Sequence, residues 1–174
     1  MIYEPEEDSY LLNKYVKKYA KGKVLDMGTG SGIQALTALE NTKDVLAADI
    51  NQECIDYIKN KVKTIQSDLF SNIKGKFDLI IFNPPYLPED YEEPEDSKVI
   101  TTCGEIGFEL VEKFLIEAKE HLENNGKILI LISSLTGEAK DLFKDYKYTL
   151  LESEGLFFET ISVYLLEYKL YIVC

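Results

Sequence analysis

Four consecutive residues, Asn83-Pro84-Pro85-Tyr86, have the types and order to do chemistry. They follow the apolar run Phe77-Asp78-Leu79-Ile80-Ile81-Phe82, whose length and composition predict a buried parallel strand. A polar amide at a strand end is therefore followed by two residues that cannot continue a sheet, and then by an aromatic ring. Proline fixes φ and removes a backbone donor, but its carbonyl still accepts. The Asn83 side-chain oxygen and the Pro84 carbonyl can together accept both protons of one planar NH2 group. Pro85 stiffens the turn, and Tyr86 can cover the flat face of that group. The arrangement suits methyl transfer to an amide or exocyclic amine nitrogen. Asn-Pro pairs also mark ordinary turns, so a second motif is needed to choose between the two uses.

That motif is Val24-Leu25-Asp26-Met27-Gly28-Thr29-Gly30-Ser31-Gly32, a predicted strand running into a Gly-rich turn, with a helix expected over 33–40. Gly28, Gly30 and Gly32 allow close backbone approach to a ligand. The spacing is not the dinucleotide fingerprint, which needs a small residue where Ile33 stands, and no Gly-Lys-Ser/Thr follows to make a phosphate loop. An acidic residue before Gly-x-Gly-x-Gly, here Asp26, suits S-adenosylmethionine, which has no phosphate and carries a free ammonium. Two more carboxylates end predicted strands. Asp49 closes the run from Asp44, and a carboxylate about twenty residues beyond the glycines can accept from both ribose hydroxyls. Residues 62–68 predict a short third strand ending in Asp68-Leu69, where Asp68 can accept from an adenine amino group and Leu69 can pack on its ring. Each Asp alone would read as a cap or turn residue. Three at successive strand ends point to a ligand, because open α/β sheets bind at the carboxyl ends of their strands.

On these residues the chain resembles the class-I methyltransferases, and within them the HemK/PrmC-like glutamine N5-methyltransferases. The opening Tyr3-Glu4-Pro5-Glu6-Glu7-Asp8-Ser9-Tyr10-Leu11-Leu12 is similar to that of the short archaeal and eukaryal branch. This similarity implies a cofactor contact from Ser9, with residues 1–20 as a helical segment of the cofactor site. Read for itself, the stretch is a first helix capped by Asp8 or Ser9. The resemblance implies a Rossmann-like α/β fold with the third strand at one sheet edge. It implies S-adenosylmethionine as cofactor, and the Gln of the Gly-Gly-Gln loop in class-1 translation release factors as acceptor. It also implies a small zinc-binding activator protein as partner. Bacterial members carry an extra helical N-terminal domain that residues 1–20 are too few to form, so recognition is expected from loops or the partner. N6-adenine and N2-guanine methyltransferases of nucleic acid use the same clamp and are the competing enzyme class. A cofactor-binding scaffold is the non-enzyme alternative, and the intact clamp argues against it. Relatives often carry Gly-Gly-Arg/Lys-x-Gly where this chain has Cys103-Gly104-Glu105-Ile106-Gly107, so no role passes to Glu105.

Pattern and composition complete the picture. A helix is expected over 108–122, a strand over 127–133 after an Asn125-Gly126 turn, a helix over 137–146, and strands over 148–156 and 160–171. The result is a seven-stranded, mostly parallel sheet with an antiparallel last strand and helices on both faces, in one domain of 174 residues. The net charge is −12 and every basic residue is Lys. Nucleic-acid binders collect Lys and especially Arg on one face, so the balance disfavours direct DNA binding while leaving an RNA target open through a basic partner. The acidic run 88–96 reads either as a loop attracting a basic substrate or as a solvated turn. Cys54, Cys103 and Cys174 are widely spaced, and His121 is the only histidine. No metal site or disulfide framework is expected, and a reduced cytoplasm fits. His121 is expected late in a helix, at the surface or complementing its dipole. No apolar run is long enough for a membrane span and no secretory segment is seen.

Overall fold

The computed structural model of the chain describes residues 2–85, 108–136 and 139–169. Tyr86, the acidic run 88–96, residues 103–107 and the end of the last expected strand lie outside the described residues.

Strand β1 (Lys23–Met27) lies at the centre of the parallel part of the sheet. It pairs in parallel with β2 (Asp44–Asp49) on one side and with β4 (Phe77–Phe82) on the other. Beyond β2 lies β3 (Lys63–Gln66), and beyond β4 lies β5 (Leu122–Ser133), both also parallel. Strand β7 (Thr160–Tyr168) runs antiparallel to β5, and β6 (Tyr146–Gly155) runs antiparallel to β7. The order is β3-β2-β1-β4-β5-β7-β6, so seven strands form one sheet in which the last strand alone is reversed. The third strand lies at an edge, as expected.

The sheet forms because its central strands are apolar on both faces, the pattern of a parallel sheet covered on each side. In β4, Leu79 and Ile81 face one core while Ile80 and Phe82 face the other. In β5, Leu129 and Leu131 alternate with Ile128, Ile130 and Ile132 in the same way. The first core is closed by α1 (Glu7–Tyr19), α2 (Ile33–Ala38) and α3 (Gln52–Ile58), through Leu11, Leu12, Val16, Ala35 and Ile58. The second is closed by α4 (Glu109–Ala118), whose Val111, Phe114 and Leu115 recur at helical spacing. Phe114 is fully buried against Phe70 and Phe82, so truncation to Ala would cost about 3–5 kcal/mol.

Several boundaries differ from the sequence-based expectation. Helix α2 stops two residues early, and β3 is confined to its four central residues, leaving Asp68-Leu69 in the turn beyond. Helix α4 gives way at Lys119 to a 3-10 turn ending at His121. The His121 ring stacks on Phe70 at 4.6 Å, and its Nδ1 lies 3.0 Å from the Gly75 carbonyl, so it packs across elements rather than simply ending a helix. Strand β5 begins at Leu122, so Asn125-Gly126 lies within a strand rather than in the turn before it. The pairing of β4 with β5 shifts register there, and a Cβ on Gly126 would sit 2.7 Å from the Phe77 carbonyl. Glycine permits that close approach and marks an irregularity in the ladder. Within the expected helix 137–146, α5 spans Ala139–Leu142. No helix among the described residues is long and apolar enough to cross a membrane.

Candidate active site

The sheet reverses its winding between β1 and β4, and a cleft of about 370 Å3 opens there at the carboxyl ends of β1, β2 and β4. The glycine turn after β1 forms one wall, and Gly28, Gly30 and Gly32 all have positive φ. Gly32 is fixed for two reasons: its φ is +84°, and a Cβ there would stand 2.8 Å from Ile58 Cγ2. It shapes the turn from behind, whereas Gly28 and Gly30 line the cleft.

Asp26 lies at the base of this turn, 2% exposed. Its Oδ2 accepts from the Thr29 hydroxyl at 2.6 Å and from the Ala35 N–H at 3.0 Å, tying β1 to the start of α2. Burial pushes its carboxyl up to about 7, against those two hydrogen bonds, with a further rise from Asp49. Asp49 accepts from the Gly30 N–H at 2.9 Å and the Asn51 N–H at 2.8 Å, one on each carboxylate oxygen. Each oxygen has a second lone pair to offer, so Asp49 can brace the glycine turn and still receive two ligand hydroxyls.

The opposite wall comes from the turn after β3. Leu69 is a non-glycine residue with φ +44°, a backbone conformation that is costly for an L side chain. Ser67 holds it there: its hydroxyl donates to the Leu69 carbonyl at 2.6 Å and accepts from the Asn72 N–H at 3.1 Å. Leu69 is thereby pinned in the cleft wall beside the exposed Asp68, which lies 3.7 Å from Lys113.

The clamp residues Asn83, Pro84 and Pro85 close the cleft at the end of β4, while Tyr86 falls outside the described residues. The Asn83 Nδ2 donates to Asp8 Oδ2 at 2.8 Å, and its Oδ1 is buried without a partner among the described residues. Asp8 and Ser9 are both buried and both line the cleft. Neither is a helix cap, because α1 starts at Glu7 after an N-cap at Glu6 that makes no side-chain cap. Gln34 donates to the Ser9 carbonyl at 2.9 Å, so α2 holds the start of α1 over the cleft.

The structure thus gathers Ser9, Asp26, Gly28, Gly30 and Asp49 around one cleft with Asp68, Leu69 and the clamp. Pattern reading had missed Ser67, Gln34 and the Asp8–Asn83 contact. Ser67 was signalled only by its place before Asp68-Leu69, and the other two join residues far apart in the chain.

Residues 4–153 match the family model of the methyltransferase small domain. The chain belongs to this methyltransferase family. A putative protein N5-glutamine methyltransferase of Methanocaldococcus jannaschii is 37% identical over 153 residues, covering 82% of this chain and 78% of that protein. A release factor glutamine methyltransferase of Streptococcus pneumoniae is 32% identical over 140 residues, covering 71% of this chain and 50% of its own length. The chain therefore spans most of the archaeal relative and about half of the bacterial one. Among solved structures, the E. cuniculi Mtq2-Trm112 complex, responsible for methylation of the eRF1 translation termination factor, has a chain of similar fold. It aligns with TM-score 0.78 at 21% identity, over 97% of this chain and 99% of that one.

Membership in this methyltransferase family implies S-adenosylmethionine as methyl donor. The cleft suits it. Among the described residues it is lined by the carboxylates of Glu6, Asp8, Asp26, Asp49 and Asp68 and by no Lys. Such a lining favours a cation and opposes a phosphate, so it fits a sulfonium with a free ammonium and not a dinucleotide.

Proposed function

We propose that this methyltransferase modifies the side-chain amide nitrogen of Gln in the Gly-Gly-Gln loop of a class-1 translation release factor. The carrying observation is the buried Asn83 Oδ1, without a partner among the described residues, beside two prolines in an acidic cleft. A buried acceptor without a partner costs about 1–3 kcal/mol, which an incoming N–H removes. The names of the archaeal and bacterial relatives support protein glutamine as the acceptor class.

When bound, S-adenosylmethionine supplies an electrophilic methyl group on a sulfonium. The chain's task is to present the nitrogen. An amide lone pair is delocalised into its carbonyl and attacks poorly. Asn83 Oδ1 and the Pro84 carbonyl would hold the two N–H groups and favour a more tetrahedral nitrogen. That nitrogen would bond the methyl carbon as the methyl–sulfur bond breaks, and then lose its surplus, now acidic, proton to water. Tyr86 would cover the planar face, and Pro85 would keep the turn rigid. Positioning of this kind removes much of the entropic barrier to transfer. Asp49 would hold the ribose, Asp68 and Leu69 the adenine, and Ser9, Asp26 and the glycine turn the amino-acid end. The Cys54 thiol, pushed up to about 12 by burial and by Asp49, stays protonated and serves as neither base nor nucleophile.

A small zinc-binding activator would complete the enzyme by adding a strand to the open edge of β3. Such a pair would work in the cytoplasm, where translation terminates. Methyl transfer from labelled donor to a release factor, followed by peptide mapping of the label to a Gln side chain, tests the assignment. Label on any other residue type would refute it.

A further inference from the structure

We propose that Asp8 is a positioning residue that sets the polarity of the Asn83 amide, and so makes the clamp select an amide over a carboxylic acid. The inference deepens the proposed function and rests on it for the identity of the acceptor. Asp8 lies in the first turn of α1, 75 residues from Asn83 in sequence, and is 3% exposed. Its Oδ2 accepts from Asn83 Nδ2 at 2.8 Å. Its Oδ1 accepts from the Ser9 N–H and from the Tyr3 hydroxyl, the latter at 3.0 Å. All three partners are donors, as a carboxylate requires.

A carboxylate has no proton to give, so Asn83 must turn its NH2 towards Asp8. Rotating the amide by half a turn would set two acceptor oxygens against each other in a buried place and lose a hydrogen bond. Asn83 Oδ1 is therefore committed to the acceptor role, and it is left without a partner among the described residues. Pro84 and Pro85 contribute no backbone N–H, so beside Asn83 Oδ1 the two prolines add carbonyl acceptors and no donor. A Gln side chain brings two protons to it. A Glu carboxylate brings none and would leave the clamp's acceptors unpaired, the kind of mismatch that discriminates strongly.

Asp8→Asn keeps the shape but, with its one oxygen held by the Ser9 N–H, sets an NH2 against Asn83 and so favours the flipped amide, which turns Oδ1 out of the acceptor role. The expected result is a fall in kcat of roughly tenfold on the release factor, with a smaller loss of cofactor affinity, since Asp8 is one of several carboxylates around the cleft. In an Asn83→Ala background the same change should cost nothing further, because the two residues act as one unit. A second readout needs no substrate. The side-chain amide cross-peak of Asn83 in an NMR spectrum, assigned by its loss in Asn83→Asp, should lie downfield in the wild type and move upfield in Asp8→Asn. An Asn83 cross-peak at an ordinary solvent position in the wild type would overturn the proposal, whether or not the variant folds. Unchanged kcat, additive losses in the double variant, or a parallel collapse of cofactor affinity would overturn it too. If the wild type proved inert towards release factors, the functional reading would fail while the spectrum still decided the role of Asp8.

Discussion

Asp49 shows how one side chain can serve the fold and the ligand together. It braces the Gly30 and Asn51 N–H groups and retains lone pairs facing the cleft. Asp49→Ala should weaken S-adenosylmethionine binding by roughly 1–3 kcal/mol, the loss expected for hydrogen bonds to a charged group. Titration calorimetry giving wild-type affinity would sink the ribose assignment. Asn83→Ala should act differently, lowering kcat far more than it raises KM, because the clamp grips hardest as the nitrogen becomes tetrahedral. An unchanged rate would make the clamp merely structural. Asp26 adds a pH dependence. Its carboxyl, raised to about 7 by burial, holds a proton below that pH in the free protein. In the proposed site an ammonium bound beside it would favour the carboxylate, so binding would release a proton. Affinity should be full above pH 7 and fall towards tenfold per pH unit below it. Calorimetry in buffers of different ionisation enthalpy reads the released proton; equal heats in all of them below pH 7 would contradict the coupling. The strand-end acids were legible in the sequence because a parallel sheet brings the ends of its apolar runs to one line. The Asp8–Asn83 bond was not, because no periodicity links a first-turn residue of α1 to the end of β4.

At the scale of elements, the turns position the site more than the strands do. Gly32→Ala should lower stability on the order of 1–3 kcal/mol, since it combines a positive φ with a clash against Ile58, and thermal unfolding measures it. A melting temperature equal to the wild type's would mean that α2 and α3 shift freely, contrary to the packing described. The open edge of β3 makes a second expectation. If an activator docks as proposed, the outer backbone groups of β3 and the half-buried Ile65 should become protected from hydrogen exchange on its binding. Protection confined to another surface would refute that docking site. Strand order followed from the family resemblance, whereas the boundaries were less legible. Asn125-Gly126 has the composition of a turn, yet it lies between Leu122, which pairs with Phe77, and Lys127, which pairs with Leu79, and so forms an irregularity inside β5. The helix expected to reach residue 122 stops early because His121 is held by Phe70 and Gly75, contacts no local pattern encodes.

At the scale of the whole molecule, charge weighs against a nucleic-acid acceptor held by this chain alone. A chain of net charge −12 without Arg has little means to hold phosphates. Adenine would also have to be unstacked, at a few kcal/mol, before its amino group reached Asn83. A Gly-Gly-Gln loop needs no unstacking, and its glycines let the backbone approach the cleft closely. The most direct measurement is therefore labelled methyl transfer at one physiological salt concentration to a release factor, its Gln→Ala variant, RNA and DNA, each with and without the activator. Label is expected on the release factor, none on the Gln→Ala variant, and negligible label on free DNA. Efficient methylation of naked DNA or RNA, with the release factor inert even beside the activator, would contradict it.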